Sequence, residues 1–220
     1  MPPASTDTSP TRLDRRKART RRALIDAAAR LLARRRTDDI SIQEITDEAD
    51  VGFGSFYNHF ETKAELLQTA VGEVLDRYGE QLDAACEGVA DWAERYAIGV
   101  RMTARLATSE PAVAQILTVS GNAYLTSEQG LAPRALRDIE GGIAAGRFHV
   151  ENPVLAMLST AGSVLTFISV RLTSPETLDD DDADELAEQL LRMLGMTAKG
   201  ARSVARRPLP ELATTARVGG

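Results

Sequence analysis

Apolar residues recur at helical spacing along most of the chain, and no stretch alternates in the manner of a β-strand. The pattern predicts a first helix over residues 14–36, with Leu24, Ile25, Ala28, Leu31 and Leu32 on one side and most Arg/Lys on the other. Ser41-Ile42-Gln43-Glu44 spells a capping box, so a short helix is expected to start at Ser41 and break at Asp50-Val51-Gly52. A third short helix covers residues 53–59, and a second capping box at Thr62–Glu65 opens a longer one to about Cys86. Further helices are expected over 89–108, from Pro111, over 129–145, from Asn152-Pro153 to about 172, and from the acidic run at 179–185. Residues 1–11 and 200–220 read as flexible tails, and Gly141-Gly142 weakens the helix that holds it. The expectation is an all-α chain of about nine helices. It divides into a first domain of short helices at 12–61 and a second, longer helical domain at 62–199.

Two short helices joined by a three-residue turn fit a helix-turn-helix, although the geometry alone also fits a generic helical hairpin. Charge changes the balance. The chain is acidic overall, at −6, but residues 1–36 hold eleven Lys/Arg against three Asp, so that segment carries +8 and the remainder −14. A basic arm before an acidic body fits phosphate contact at one end only. A single cysteine, Cys86, forms no internal disulfide, and the N-terminus lacks the apolar run of a secretory signal. Residues 152–170 carry no charge, but their Ser, Thr, Asn and Gly content favours a helix buried against protein over a membrane span. The expectation from these features is a cytoplasmic protein without a membrane partner.

The segment 19–67 resembles the DNA-binding domain of the tetracycline-repressor (TetR) family. The resemblance is carried by an Ala-rich first helix, Ile42-x-x-Ile45, Ala49-Asp50-Val51-Gly52, Ser55-Phe56-Tyr57-Asn58-His59-Phe60 and Lys63-x-x-Leu66-Leu67. It implies a transcriptional regulator, most commonly a homodimeric repressor on a palindromic operator of double-stranded DNA. It also implies that Tyr57, His59 and Lys63 grip or position on phosphate, with Arg19 in the basic arm. Ser41 and Gln43 would lie at the groove edge, and Gly52, Phe53, Gly54, Ser55 and Asn58 would face the bases. Two departures stand out: Asp50 occupies a position where the family often has Gly, and Gly52 one where it often has a Ser cap. No Arg or Lys lies between Gln43 and His59, so base reading relies on Phe, Asn, Gln and DNA shape.

Beyond residue 67 only length and helical pattern resemble the family. Leu158, Gly162, Leu165, Ser169 and Leu172 form one stripe and Leu186, Leu190 and Met193 another, which the resemblance assigns to a four-helix dimer interface. Candidates for lining a pocket for a small effector are Trp92, Tyr96, Met102, Tyr124, Phe148, Met157 and Phe167, and the expected effector is apolar. Arg101 and Arg105 read as solvated, with an anionic ligand as the alternative. Nothing in the sequence marks a nucleophile, a metal cluster or a phosphate loop, so neither an enzyme nor a cofactor is expected. The competing reading is a helical small-molecule-binding protein whose DNA recognition has degraded.

Overall fold

The computed structural model describes residues 11–35, 37–120 and 130–210. It divides into two compact units, 1–70 and 71–220. Ten α-helices and two short 3₁₀ turns occur among the described residues, with no strand.

In the first unit α1 spans Arg12–Leu32, starting two residues ahead of expectation, because Thr11 is its cap: the Thr11 hydroxyl accepts from the Asp14 amide, and the Asp14 carboxylate accepts from the Thr11 amide. Thr11 therefore belongs to the fold, while the expectation of disorder for residues 1–10 lies outside the described residues. Leu24, Ala28 and Leu32 turn inward and meet Ile45 of α2 (Ile42–Glu48), with Ile40, Phe56, Phe60 and Leu66 completing a core in which none of these exceeds 2% exposure. Arg30 pins α1 to the end of α2, its Nε on the Glu48 carboxylate at 2.6 Å and its Nη2 on the Glu48 carbonyl at 3.1 Å.

The expected capping box at Ser41 is present in full. Thr62 caps α3 (Lys63–Ala85) through the Glu65 amide, but the Glu65 carboxylate reaches past Thr62 to the Glu61 amide, so this second box is offset by one residue. The turn after α2 closes through the Val51 amide on the Thr46 carbonyl, with Asp50 at φ 52°, in the left-handed region. That geometry is why glycine is favoured at this position.

The second unit is built around α4 (Trp92–Ala104), which packs against α7 (Leu131–Ala144), α8 (Pro153–Thr173), α9 (Asp180–Met193) and α10 (Ala198–Ala205). The helix expected over 89–108 is broken at Arg105, after which α5 (Leu106–Ser109) and α6 (Pro111–Ser120) follow. Gly141 and Gly142 do not interrupt α7. They let aromatic rings approach: a Cβ at Gly141 would lie 2.6 Å from the Trp92 indole, and one at Gly142 would lie 2.1 Å from the Phe148 ring. Of the flexible tail expected over 200–220, the described part is corrected by α10, which Thr197 caps and which buries Ala201, Val204 and Ala205 against α9 and α4, while 211–220 lie outside the described residues. An eight-residue helix containing Gly200 is too short for its period to stand out in sequence.

Arg101 and Arg105 are not solvated. Arg101 is 5% exposed and grips Asp184 with two nitrogens, at 2.7 and 3.2 Å, while its third donates to the Arg207 carbonyl at 2.7 Å. Arg105 adds a contact to Asp184 at 2.6 Å. Burial alone would raise the Asp184 carboxyl, but the two guanidiniums hold it below the usual range.

Asp50→Gly is expected to stabilise the chain by on the order of 1 kcal/mol in denaturant titration, the relief of left-handed strain exceeding the added freedom of the unfolded chain. A loss of stability would contradict this account of the turn. Asp184→Ala strands a buried guanidinium and should cost about 3 kcal/mol, whereas a cost near zero would show that the clamp is dispensable.

Candidate functional site

The first unit presents one polar-aromatic face. The short helix expected over 53–59 is a 3₁₀ helix, Phe53–Asn58. Gly52 offers no side-chain cap and Gly54 lies inside, so an α-helical first turn lacks support while Phe56, fully buried, holds the segment down. Around that anchor Phe53 is 46% and Tyr57 58% exposed. Gly52, Gly54 and Asn58 are exposed, and Ser55 is half-buried. Tyr57 stands edge-on to both Phe53 and Phe56 while most of its side chain stays in water.

Other predicted contact residues already have partners. The Ser41 hydroxyl donates to the Glu44 carboxylate and accepts from the Glu44 amide. Gln43, exposed, donates to Asp47 at 2.7 Å. The Lys63 ammonium donates to the Ile40 carbonyl at 2.8 Å and the Thr37 carbonyl at 3.4 Å, so it ties down the turn that presents Ser41. His59 is half-buried, and desolvation together with the charges of Arg21 and Lys17 lowers its pKa below the usual value, which keeps the imidazole neutral at pH 7.

The basic arm is helical. At 100° per residue, Arg12, Arg15, Arg16, Arg19 and Arg22 fall on one side of α1, opposite the Leu24–Ala28–Leu32 core face. Arg21 points the other way, over the Phe60 ring at 5.0 Å. Cations in the first turns of a helix oppose its dipole, so this arrangement costs local stability and calls for a nearby polyanion.

The second unit contains a partly open cavity of about 120 Å³. Of the residues expected to line it, Tyr96 and Met157 do. Trp92 instead lies against Gly141, Met102 packs with Cys86 and Ile98, Phe148 stacks edge-on to Tyr96 at 5.7 Å, and Phe167 packs with Ala104 and Ala183. Tyr124 lies outside the described residues. Most of the wall is aliphatic, but Asp83, Arg95, Arg134, Arg137 and Asp138 form a charged stretch that the expectation of an apolar effector missed. A signal was present in the sequence: Arg134, Arg137 and Asp138 recur at helical spacing on α7, and Asp76 and Asp83 lie two turns apart on α3.

Arg134 donates to Asp83 at 2.9 Å and Asp76 at 3.2 Å, and Arg137 to Asp83 at 2.9 Å and Asp138 at 3.0 Å. The two lining carboxyls diverge. Burial would raise Asp83, but its two arginines hold it below the usual range, whereas burial dominates at Asp138 and raises it. Elsewhere on the wall the Tyr96 hydroxyl meets the Thr160 hydroxyl at 2.6 Å.

The stripe expected on α8 is mostly outward-facing: Leu158, Gly162 and Ser169 are exposed, while Leu165 and Leu172 are half-buried and Leu165 also lines the cavity. Val154 and Leu155, at 48% and 60% exposure, extend that face and were not anticipated. Although α8 is long and apolar enough to cross a membrane, only 33% of its most apolar window is buried, less than the sequence reading expected. On α9, Met193 is exposed, Leu186 packs on the Phe167 cluster, and Leu190 is buried in the chain's own core. Among the described residues no group of His, Cys, Asp and Glu is placed to hold a metal ion.

Comparison with known proteins agrees with this architecture. Residues 24–70 match the family model described as bacterial regulatory proteins, tetR family. Residues 91–207 match the tetracyclin repressor-like C-terminal domain. RolR, solved in complex with the ligand resorcinol, is 34% identical over 90% of this chain and 99% of its own, with a TM-score of 0.75. RolR without ligand gives 32% identity over 87% and 100%, with a TM-score of 0.69. The transcriptional regulator FadR from Bacillus subtilis, in complex with stearoyl-CoA, shares the fold at 17% identity, over 77% of this chain and 97% of its own, with a TM-score of 0.59. With one family model on its helix-turn-helix and a second over more than half its length, this chain belongs to the TetR family of transcriptional regulators.

Proposed function

We propose that the protein is a cytoplasmic, non-enzymatic, homodimeric repressor. It binds a palindromic operator in the major groove and is released by a small hydroxylated aromatic compound held in the second unit. The observation that carries this reading is the cavity: a small, mainly aliphatic space with a stretch of arginine and aspartate, in a chain 34% identical to a protein solved with resorcinol. An aromatic ring fits the aliphatic wall, and its hydroxyls fit the charged stretch. A wholly apolar effector would cover those ion pairs without offering a partner to any donor or acceptor they leave spare.

Pairing of subunits through α8 is supported by its outward face, where Val154, Leu155 and Leu158 would otherwise stay in water. On the DNA side, Phe53 fits a thymine methyl, Asn58 an adenine edge and the Tyr57 hydroxyl a phosphate. With no groove-facing Arg or Lys, affinity depends on phosphate contacts from the arginine stripe of α1. The uncapped 3₁₀ segment keeps one alternative open, a ligand-binding protein with degraded operator recognition.

Fluorescence anisotropy on the intergenic DNA beside its own gene tests the reading. Saturable binding at low salt that resorcinol reverses is expected, whereas equal affinity for unrelated duplexes would favour the alternative. Replacing Arg12, Arg15, Arg16 and Arg19 by Gln should flatten the plot of log affinity against log salt by about 0.9 for each phosphate left un-neutralised. An unchanged slope would take the stripe off the DNA.

A further inference from the structure

We propose that residues 12–22 of α1 form a helical arm that enters the major groove of the duplex flanking the helix-turn-helix site and engages phosphates on both of its walls. This rests on the DNA-binding reading above and adds to it a second contact region on the duplex, outside the operator half-site.

Helix α1 is two segments in one. Its first fully buried residue is Leu24, and every residue from Arg12 to Arg19 is exposed. The match to the tetR family model also begins at residue 24. The three turns from Arg12 therefore lie outside the unit's core and outside the part of the domain that the family model matches. They are nonetheless a defined helix, because the Thr11–Asp14 capping box closes the free end. A preformed arm gives up little ordering entropy on binding. Arg21, with its guanidinium carbon 5.0 Å from the centre of the Phe60 ring, seats the base of the arm beside the end of the 3₁₀ helix Phe53–Asn58. The charges of Arg21 and Lys17 are felt at His59.

The charge pattern points to a groove. Seven of the eleven residues from Arg12 to Arg22 are Arg or Lys. At 100° per residue they surround the helix, leaving no uncharged sector wider than about 100°. The nearby acids are engaged, Asp14 in the Thr11 cap and Asp26 with Arg22. Arg12, Arg15, Arg16 and Arg19 have no ion-pair partner among the described residues. Leu13 is the stretch's one large apolar residue, so no face suits a lipid surface. A helix lying along a single row of phosphates needs cations on one face only. Cations on every side fit a channel with phosphate on both walls, and the major groove, about 12 Å wide, admits an α-helix. At about 1.5 Å per residue the arm is roughly 16 Å long, about five base-pair steps.

The test begins with dimethyl sulfate footprinting of the intergenic duplex beside the gene, which reads guanine N7 in the major groove. The protected palindrome is then cut flush, or extended on each side by three, six or twelve base pairs that include guanine. Anisotropy follows binding of the full chain and of a variant carrying Arg12→Gln, Arg15→Gln, Arg16→Gln and Arg19→Gln. The wild type should bind about tenfold or more tighter with six flanking pairs than with none, and gain little from twelve. It should also shield the flanking guanines, and the variant should lose both the flank dependence and the shielding. Affinity that ignores flank length, flank dependence that survives in the variant, or flanking guanines that stay reactive would overturn the placement of the arm and leave the operator reading standing. If no palindrome is protected at all, the operator reading falls and this inference falls with it. Should the variant fail to fold, the wild-type length series and its guanine shielding still decide the matter.

Discussion

The second unit depends on one buried ion pair. The Arg101 guanidinium, closed off from water, holds Asp184 on α9 and the Arg207 carbonyl just after α10. Two helices and the chain's last described turn are thereby fixed to α4 by a single side chain. Arg207 extends the clamp to Asp91 and Glu94 at the start of α4, where Arg147 also grips Asp91 with two nitrogens. Such pairs add little net stability over a well-packed apolar core but heavily penalise any other arrangement. The result is a defined position for α4, and α4 carries Arg95, Tyr96, Val100 and Thr103 into the cavity wall. For the ligand site proposed above that definition matters, because misplacement of about one ångström would forfeit the hydrogen bonds that distinguish a hydroxyl from a methyl group.

The first unit solves a different problem. Its core is closed by Leu24, Ile45, Phe56 and Phe60 around a turn that places Asp50 in a left-handed conformation. Several polar residues one would assign to DNA already have internal roles. Ser41 caps α2, Gln43 holds Asp47, and Lys63 braces the carbonyls before Ser41. What remains outward is largely aromatic, with positive charge concentrated on the far side of α1. On the DNA-binding reading proposed above, shape and phosphate contact weigh more than hydrogen-bond reading of bases.

Much of this was legible in the sequence because it is written in local signals. Ser41–Glu44, Asn152-Pro153 and the acidic run at 179 each predict a helix start that the structure contains. The family motifs between Ala49 and Leu67 identified the helix-turn-helix. Features that depend on distant partners were hidden. Nothing near Arg101 announces Asp184, 83 residues away, so the side chain read as solvated. Gly141 and Gly142 looked like weak points because the rings that need their space lie elsewhere in the chain. The charged stretch of the cavity was missed for the same reason, since its members come from α3, α4 and α7.

The central claim is that one molecule couples a DNA-reading face to occupancy of the cavity. Thermodynamic reciprocity gives the most direct measurement: resorcinol affinity determined on the free protein and again on protein saturated with its operator. Coupling predicts weaker resorcinol binding on DNA, by the same factor by which resorcinol weakens DNA binding. Identical resorcinol affinity in the two states would mean that the cavity and the DNA face are uncoupled, and would contradict the claim.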